Sequence, residues 1–239
     1  MKLPFKCYLC ENIDGDILKK YFLEVDDLNI YNLICDRGHH TLILPQITKF
    51  ELLFDMGTQA LIDGYTREAI VNVASSLERF YEFCIELFCE INKVSCDSYQ
   101  TTWKLISKQT ERQLGAYFLL YLNCLKRLPV HIPDKQVNFR NRVIHQGYIP
   151  NNQEVMEYIC CVYEVIKASI LELRSNFLED IYLVVYRQVD RLKCKISAEN
   201  ILGVADANVI NLLSPDMMEE TYPKALEKIR KNGFSIANG

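Results

Sequence analysis

The chain has 239 residues, 49% of them apolar, and a formal net charge of −4. That apolar mass suits one large domain or two unequal ones, and the acidic balance excludes a surface that binds polyanions everywhere, so any nucleic-acid contact needs a local basic patch. Glycine (9) and proline (7) are scarce, which favours long helices over strand-and-turn folds.

The start, Met-Lys-Leu-Pro-Phe-Lys-Cys7, lacks the apolar core of a secretory leader. The longest apolar run, Gly115 to Cys124, is broken by Asn123 and too short to span a bilayer. A cytoplasmic protein is expected, with its ten cysteines mostly reduced and used for metal ligation or core packing.

Residues 1–45 read as a zinc-ribbon-like β module. Cys7-x2-Cys10 is followed, after 24 residues, by Cys35-Asp-Arg-Gly-His39-His40. Zn²⁺ takes four thiolate or imidazole ligands in a tetrahedron, and two short half-sites separated by a hairpin supply them. The ligand set is Cys7, Cys10, Cys35 and His39, with His40 as a rival for the fourth place. Tyr21–Val25 and Leu28–Ile34 are strand-like, and Gly38 lets the second knuckle turn. Four ligands leave no open position, so the ion is expected to be structural. The alternative is four unconnected residues, cysteine being commonly buried.

Residues 46–178 read as a helical domain. Phe50, Leu53, Phe54, Gly57, Ala60 and Leu61 recur at helical spacing, and Gly64 stops that helix. A second helix runs from Tyr65 to Phe88, with Thr66 as candidate cap and Ala69, Val73, Leu77, Phe80, Cys84 and Leu87 as its stripe. Within it, Glu78 and Glu82 form a like-charge i,i+4 pair, unfavourable unless a cation is near. Glu78 is either solvated or reaches the segment around 140–145 and orients Arg140 or His145. After a polar break at Ser95–Ser98, one helix is expected over Thr101–Arg127, ending in the cations Lys126 and Arg127. Cys84, Cys89, Cys96 and Cys124 lack ligand spacing and read as core or incidental.

Lys135–Tyr148 is the stretch where a cation, an amide and a histidine fall together. Pro133-Asp134 reads as a helix start, Gly147 and Pro150 as its stop. Arg140, Asn141 and His145 share one arc of roughly 140°, which also holds Val137 and Ile144. The alternative is an ordinary helix whose arginine pairs with an acid. His131 lies in the preceding loop and reads as incidental. Asn151 with Glu154 resembles a capping box opening another helix to about Arg174, where Cys160 and Cys161 are packing residues.

The string Arg140-Asn141-Arg142-Val143-Ile144-His145 resembles the Arg-polar-x3-His signature of HEPN domains. The resemblance covers roughly residues 46–176. It includes the Gly64-Tyr-x-Arg-Glu-Ala69 turn into a long helix, a helix beginning with the signature, and one helix after it. What it implies is a HEPN-like antiparallel helical bundle and metal-independent RNA cleavage at a homodimer interface, with Arg140 and His145 at the invariant positions and Asn141 at the variable polar one. A toxin or antiviral-defence role, with an antitoxin or defence partner, is implied as well. Two residues separate His145 from Tyr148, where the subfamily paired with a nucleotidyltransferase antitoxin has one. The chemistry suits the residues. A 2′-hydroxyl attacking the adjacent phosphorus needs a proton acceptor, a proton donor and a cation, and histidine and arginine supply these. A twofold dimer would bring two of each into one cleft. The other reading is a non-catalytic module that binds RNA, nucleotide or protein.

Residues 179–239 read as a helical extension. Phe177–Val189 is apolar and helix-compatible, and Arg187, Arg191, Lys193 and Lys195 form a basic cluster, either solvated or facing RNA backbone. Ser197–Asn200 reads as a short helix start, and Ser214-Pro215 as the start of the amphipathic last helix, with Ser214 as cap and Pro215 at its first position, before a tail at 232–239.

Overall fold

The computed structural model describes residues 2–7, 9–10, 19–193, 201–202 and 207–234. Two hairpins come first. β1 (Lys2–Lys6) runs antiparallel to β2 (Lys20–Glu24), with Phe5 opposite Tyr21. β3 (Tyr31–Ile34) runs antiparallel to β4 (His40–Ile43), with Tyr31 opposite Ile43. Burial alternates along β3: Tyr31 and Leu33 point inward, Asn32 and Ile34 outward, as a half-buried strand requires. Phe5 packs on Tyr31 with ring centroids 4.7 Å apart. Leu33, Ile43 and Ile47 complete this small core, which also takes in Leu52 from the first helix and Ala207 from far along the chain.

The rest of the described chain is mainly helical. α1 (Lys49–Ile62) ends where expected: Gly64 takes φ +84°, Gly64 N–H bonds to Leu61 O and Tyr65 N–H to Ala60 O. This is the Schellman arrangement that a glycine permits. α2 (Thr66–Ile91) begins one residue away from expectation, with Thr66 already helical and Tyr65 in the cap position without a side-chain bond. The predicted stripe, Ala69 through Leu87, is buried throughout. α1 and α2 cross closely at Gly57, where a Cβ would lie 2.6 Å from Val73 Cγ2.

The helix expected over 101–127 is two. α3 (Cys96–Ile106) starts at the Ser95 cap, whose hydroxyl accepts from Ser98 N–H, and α4 (Thr110–Leu125) follows. No apolar residue lies between Ile106 and Leu114, so nothing holds a continuous helix to the core. The freed carbonyls are taken by the next helix's side chains, Gln113 to Ser107 O and Arg112 to Leu105 O.

α5 (Asp134–His145) is short and anchored by the buried Phe139 and Val143. α6 (Asn152–Lys193) opens with the expected reciprocal cap: Asn151 Oδ1 accepts from Glu154 N–H, and Glu154 accepts from Asn151 N–H, both at 3.0 Å. It bends at Phe177, which has φ −141° and ψ 36°. α2 lies at the centre and touches α1, α4, α5 and α6.

The chain then returns to its beginning. β5 (Ile201–Leu202) joins β4 in parallel, with Ile201 opposite Leu42. Residues 207–213 follow α1, and Val209, Ile210 and Leu212 are fully buried. After a 3₁₀ turn (Pro215–Met217), α7 (Tyr222–Asn232) packs Tyr222 against Phe54 of α1 and Tyr163 of α6. The helix start at 197–200, Lys195 and the tail beyond 234 lie outside the described residues. Among the described residues no helix is long and apolar enough to cross a membrane.

Candidate functional site

The first candidate site is the pair of knuckles. Cys10 N–H closes a turn on Cys7 O at 3.1 Å, and Gly38 N–H closes another on Cys35 O at 2.8 Å. Gly38 has φ +78°, which glycine adopts without strain. The ligand atoms of Cys7, Cys10, Cys35 and His39 all lie within 4.8 Å of one another. His39 Nδ1 is 3.3 Å from Cys10 Sγ and 3.7 Å from Cys7 Sγ, and Cys10 Sγ is 3.8 Å from Cys35 Sγ. A tetrahedral ion with metal–sulfur bonds of about 2.3 Å sets neighbouring sulfurs roughly 3.8 Å apart, the separation of Cys10 Sγ and Cys35 Sγ. Burial, with Cys7 and Cys35 hydrogen-bonding to it, pushes the Cys10 thiol up to about 11. Three sulfurs and an imidazole held this close can bind a metal ion such as zinc. The rivalry for the fourth place goes to His39, because His40 turns outward and bonds to Asn32 across the strand pair.

The second candidate site surrounds α5. Glu78 of α2 lies 3.7 Å from the Arg140 guanidinium, both side chains mostly buried. Glu82 is served by a different cation, Arg79, at 2.5 Å. The like-charge pair is therefore relieved by one arginine on each side. Asn141 is half-buried and His145 exposed at the helix end, and among the described residues their side chains make no hydrogen bond to each other. Arg142 leaves the arc and lies over the Tyr148 ring at 4.7 Å, while Tyr148 donates its hydroxyl to Glu154. His131 bonds to the carbonyl of Ile132 and packs on Phe118.

Two buried tyrosines lie within reach of the Arg140 charge. Tyr81 of α2 and Tyr158 of α6 are buried, and the Tyr158 ring packs on Phe139 at 5.8 Å. Burial pushes both phenols far up, while the nearby Arg140 charge pulls the other way. Neither tyrosine was picked out by sequence reasoning, because both also read as ordinary members of an apolar helical stripe.

Sequence reasoning also missed two buried carboxylates. Glu51 and Asp55 of α1 are 3% and 1% exposed. Glu51 accepts from the Leu212 N–H at 2.6 Å and from the Thr48 N–H at 2.7 Å. Asp55 accepts from the backbone and side-chain N–H of Asn208 and from the Val209 N–H. Burial raises Glu51 to about 7 and Asp55 to about 6. Two acids four apart among Phe50, Leu52 and Phe54 were the available signal. They clasp the returning chain.

A cavity of about 490 Å³ lies elsewhere, lined by Leu28, Ile47, Leu53, Met56, Val185 and Val189 among others, and none of the Arg140 cluster reaches it. Of the basic cluster near the end of α6, Arg187 pairs with Glu90 and Arg191 with Glu86. Comparison of the chain with protein-family models, curated proteins and solved structures finds no match.

Proposed function

We propose that the protein is a metal-independent endoribonuclease of HEPN type, cleaving RNA through attack of its own 2′-hydroxyl. The observation that carries this reading is the Glu78–Arg140 pair. It sets a guanidinium, beside an acid from another helix, five residues along the helix from an exposed histidine.

In this reading Arg140 neutralises the phosphorane, to which its planar fork is matched. His145 moves the proton at the 2′-oxygen or at the leaving 5′-oxygen, with Asn141 beside it as a hydrogen-bonding group. Such proton transfer contributes about 10²–10⁴-fold. One chain supplies one histidine at the motif, so acid and base together call for a homodimer in which His145 of each copy faces the other. His145 at the exposed end of α5, near the largely exposed Ile149, suits such an arrangement. A zinc ion on Cys7, Cys10, Cys35 and His39 would hold the two knuckles together and, with four ligands filled, take no part in chemistry. A toxin or antiviral-defence role, a protein partner and a cytoplasmic location extend the same reading.

The test is cleavage of single-stranded or transfer RNA by purified protein, with free divalent ions chelated. Products with 2′,3′-cyclic phosphate ends, absent with His145→Ala, support the reading. Undiminished cleavage by His145→Ala ends it.

A second reading is a non-catalytic module that binds RNA, nucleotide or protein; the pairing of Arg187 and Arg191 with glutamates, which takes these two cations from a phosphate backbone, favours its protein-binding form. It predicts binding without turnover, lost with Cys7→Ser and retained with His145→Ala.

A further inference from the structure

Residues 101–127 hold five cations, Lys104, Lys108, Arg112, Lys126 and Arg127, and one acid, Glu111, in a chain of net charge −4. Arg127 is engaged by Glu172. Among the described residues the other four form no ion pair: Arg112 donates to Leu105 O and Lys126 to Asn123 O, both within the α3–α4 segment itself. All four are exposed. The outer side of α3 and α4 is therefore basic and unneutralised.

α4 buries one narrow face, Gln113, Tyr117 and Tyr121. On the opposite side Arg112, Gly115, Leu119 and Leu122 fall within an arc of about 80° at roughly 100° per residue, and Lys126 closes the row at the helix end. Leu119 is 71% exposed and Leu122 43%. The spacing, three then four, is that of a seam along which a second helix packs. Gly115 fits the same use. Glycine in mid-helix is a poor helix former, and a Cβ there would meet nothing within 4 Å, so the fold of this chain does not require it. On a seam it leaves a notch that a partner backbone can approach closely.

The charges choose the occupant. Two copies of this chain packed through the seam, antiparallel about Leu119, would bring Arg112 and Lys126 together at both ends, like charge on like; packed in parallel, each would meet itself. Nucleic acid wants cations along its whole track, or rings for its bases to stack on, and the middle of this row is leucine and glycine. A lipid surface gains apolar burial from the leucines but has no use for the notch. We propose that this face of α4 docks an amphipathic helix of a partner protein. Its apolar residues lie against Leu119 and Leu122, and its carboxylates meet Lys126 at one end and Arg112, with the adjoining Lys104 and Lys108, at the other. The exposed Leu178, Tyr182 and Tyr186 of α6 specify no such partner, because the neighbouring Arg187 and Arg191 are already paired with glutamates. Neither Arg140 nor His145 takes part.

The probe is a fluorescent, alanine-based helical peptide of about four turns, with two leucines in its middle and a glutamate at each end at the spacing of the row; its counterpart carries lysines at the ends. Wild-type protein should bind the acid-ended peptide at least about tenfold more tightly than the lysine-ended one, read by anisotropy. Leu119→Ser and Lys126→Glu, both at exposed positions, should each weaken that binding about tenfold. Lys126→Glu should regain affinity for a peptide whose facing glutamate is replaced by lysine. Gly115→Gln should unfold about 2–4 °C higher than wild type, glutamine being the better helix former, yet bind the peptide about tenfold more weakly. Equal affinity for the two peptides, binding of neither, or a Gly115→Gln variant that unfolds lower or binds unchanged overturns the proposal. So does a deoxyoligonucleotide or a phosphatidylserine vesicle that wild type binds in place of the peptide, with binding lost in Lys126→Glu and unaffected by Gly115→Gln.

Discussion

Glu78 on α2 and Arg140 on α5 face each other at 3.7 Å, each mostly buried. A pair this loose contributes little to stability, typically under about 1 kcal/mol after solvent screening. Its value lies in aiming the guanidinium. Glu78→Gln should therefore shift the urea midpoint by less than about 1 kcal/mol equivalent, while lowering RNA cleavage about tenfold. A loss of several kcal/mol would instead mark Glu78 as a structural residue.

The metal cluster makes a choice between two adjacent histidines. Purified protein should carry about one zinc per chain. His39→Ala and Cys10→Ser should lose it, and His40→Ala should retain it, as read by elemental analysis. Removing the ion should destabilise the two hairpins, whose own core is small. Equal metal loss in His39→Ala and His40→Ala would contradict the geometry.

Glu51 supplies a pH dependence opposite in sign to that of most carboxylates. Its folded-state value is raised to about 7 by burial, above an unfolded value of roughly 4.3. Between these limits the folded state binds the extra proton, so its stability falls as pH rises. The cost is absent below about pH 4 and complete above about pH 7, of order 3 kcal/mol. Relative to Glu51→Gln, wild type should lose stability progressively over that window in denaturant titrations. A difference that is flat with pH, or grows with it, would show that Glu51 titrates normally.

Gly57 is a close-approach position. A Cβ there would meet Val73 Cγ2 at 2.6 Å and Ala69 O at 3.2 Å. The better helix propensity of alanine, about 1 kcal/mol, is outweighed by forcing α1 and α2 apart. Gly57→Ala should lower stability by about 1–3 kcal/mol, and a thermal scan showing stabilisation would mean that the crossing can relax.

Much of the helical architecture was legible because its signals are local. The α2 stripe, the Gly64 stop, the Asn151–Glu154 cap and the Cys-x2-Cys half-site each depend on residues a few positions apart. The break between α3 and α4 was also present, in the apolar gap from Ser107 to Gln113, but helix periodicity on either side masked it. The contact of Glu78 with Arg140 could only be offered as one of two readings, since its partner is remote in sequence.

What the sequence determined by itself was which segments become helix or strand, where several of them stop, and which cysteines and histidines are spaced to share an ion. Periodicity, turn chemistry and ligand spacing are short-range properties. Only the tertiary structure decided that His39 and not His40 joins the cysteines, because one strand register turns adjacent residues to opposite faces. It also decided that Asp55 and Glu51 clasp residues 208–212. Those relationships depend on how whole elements pack, and burial sets their electrostatics, which no local pattern encodes.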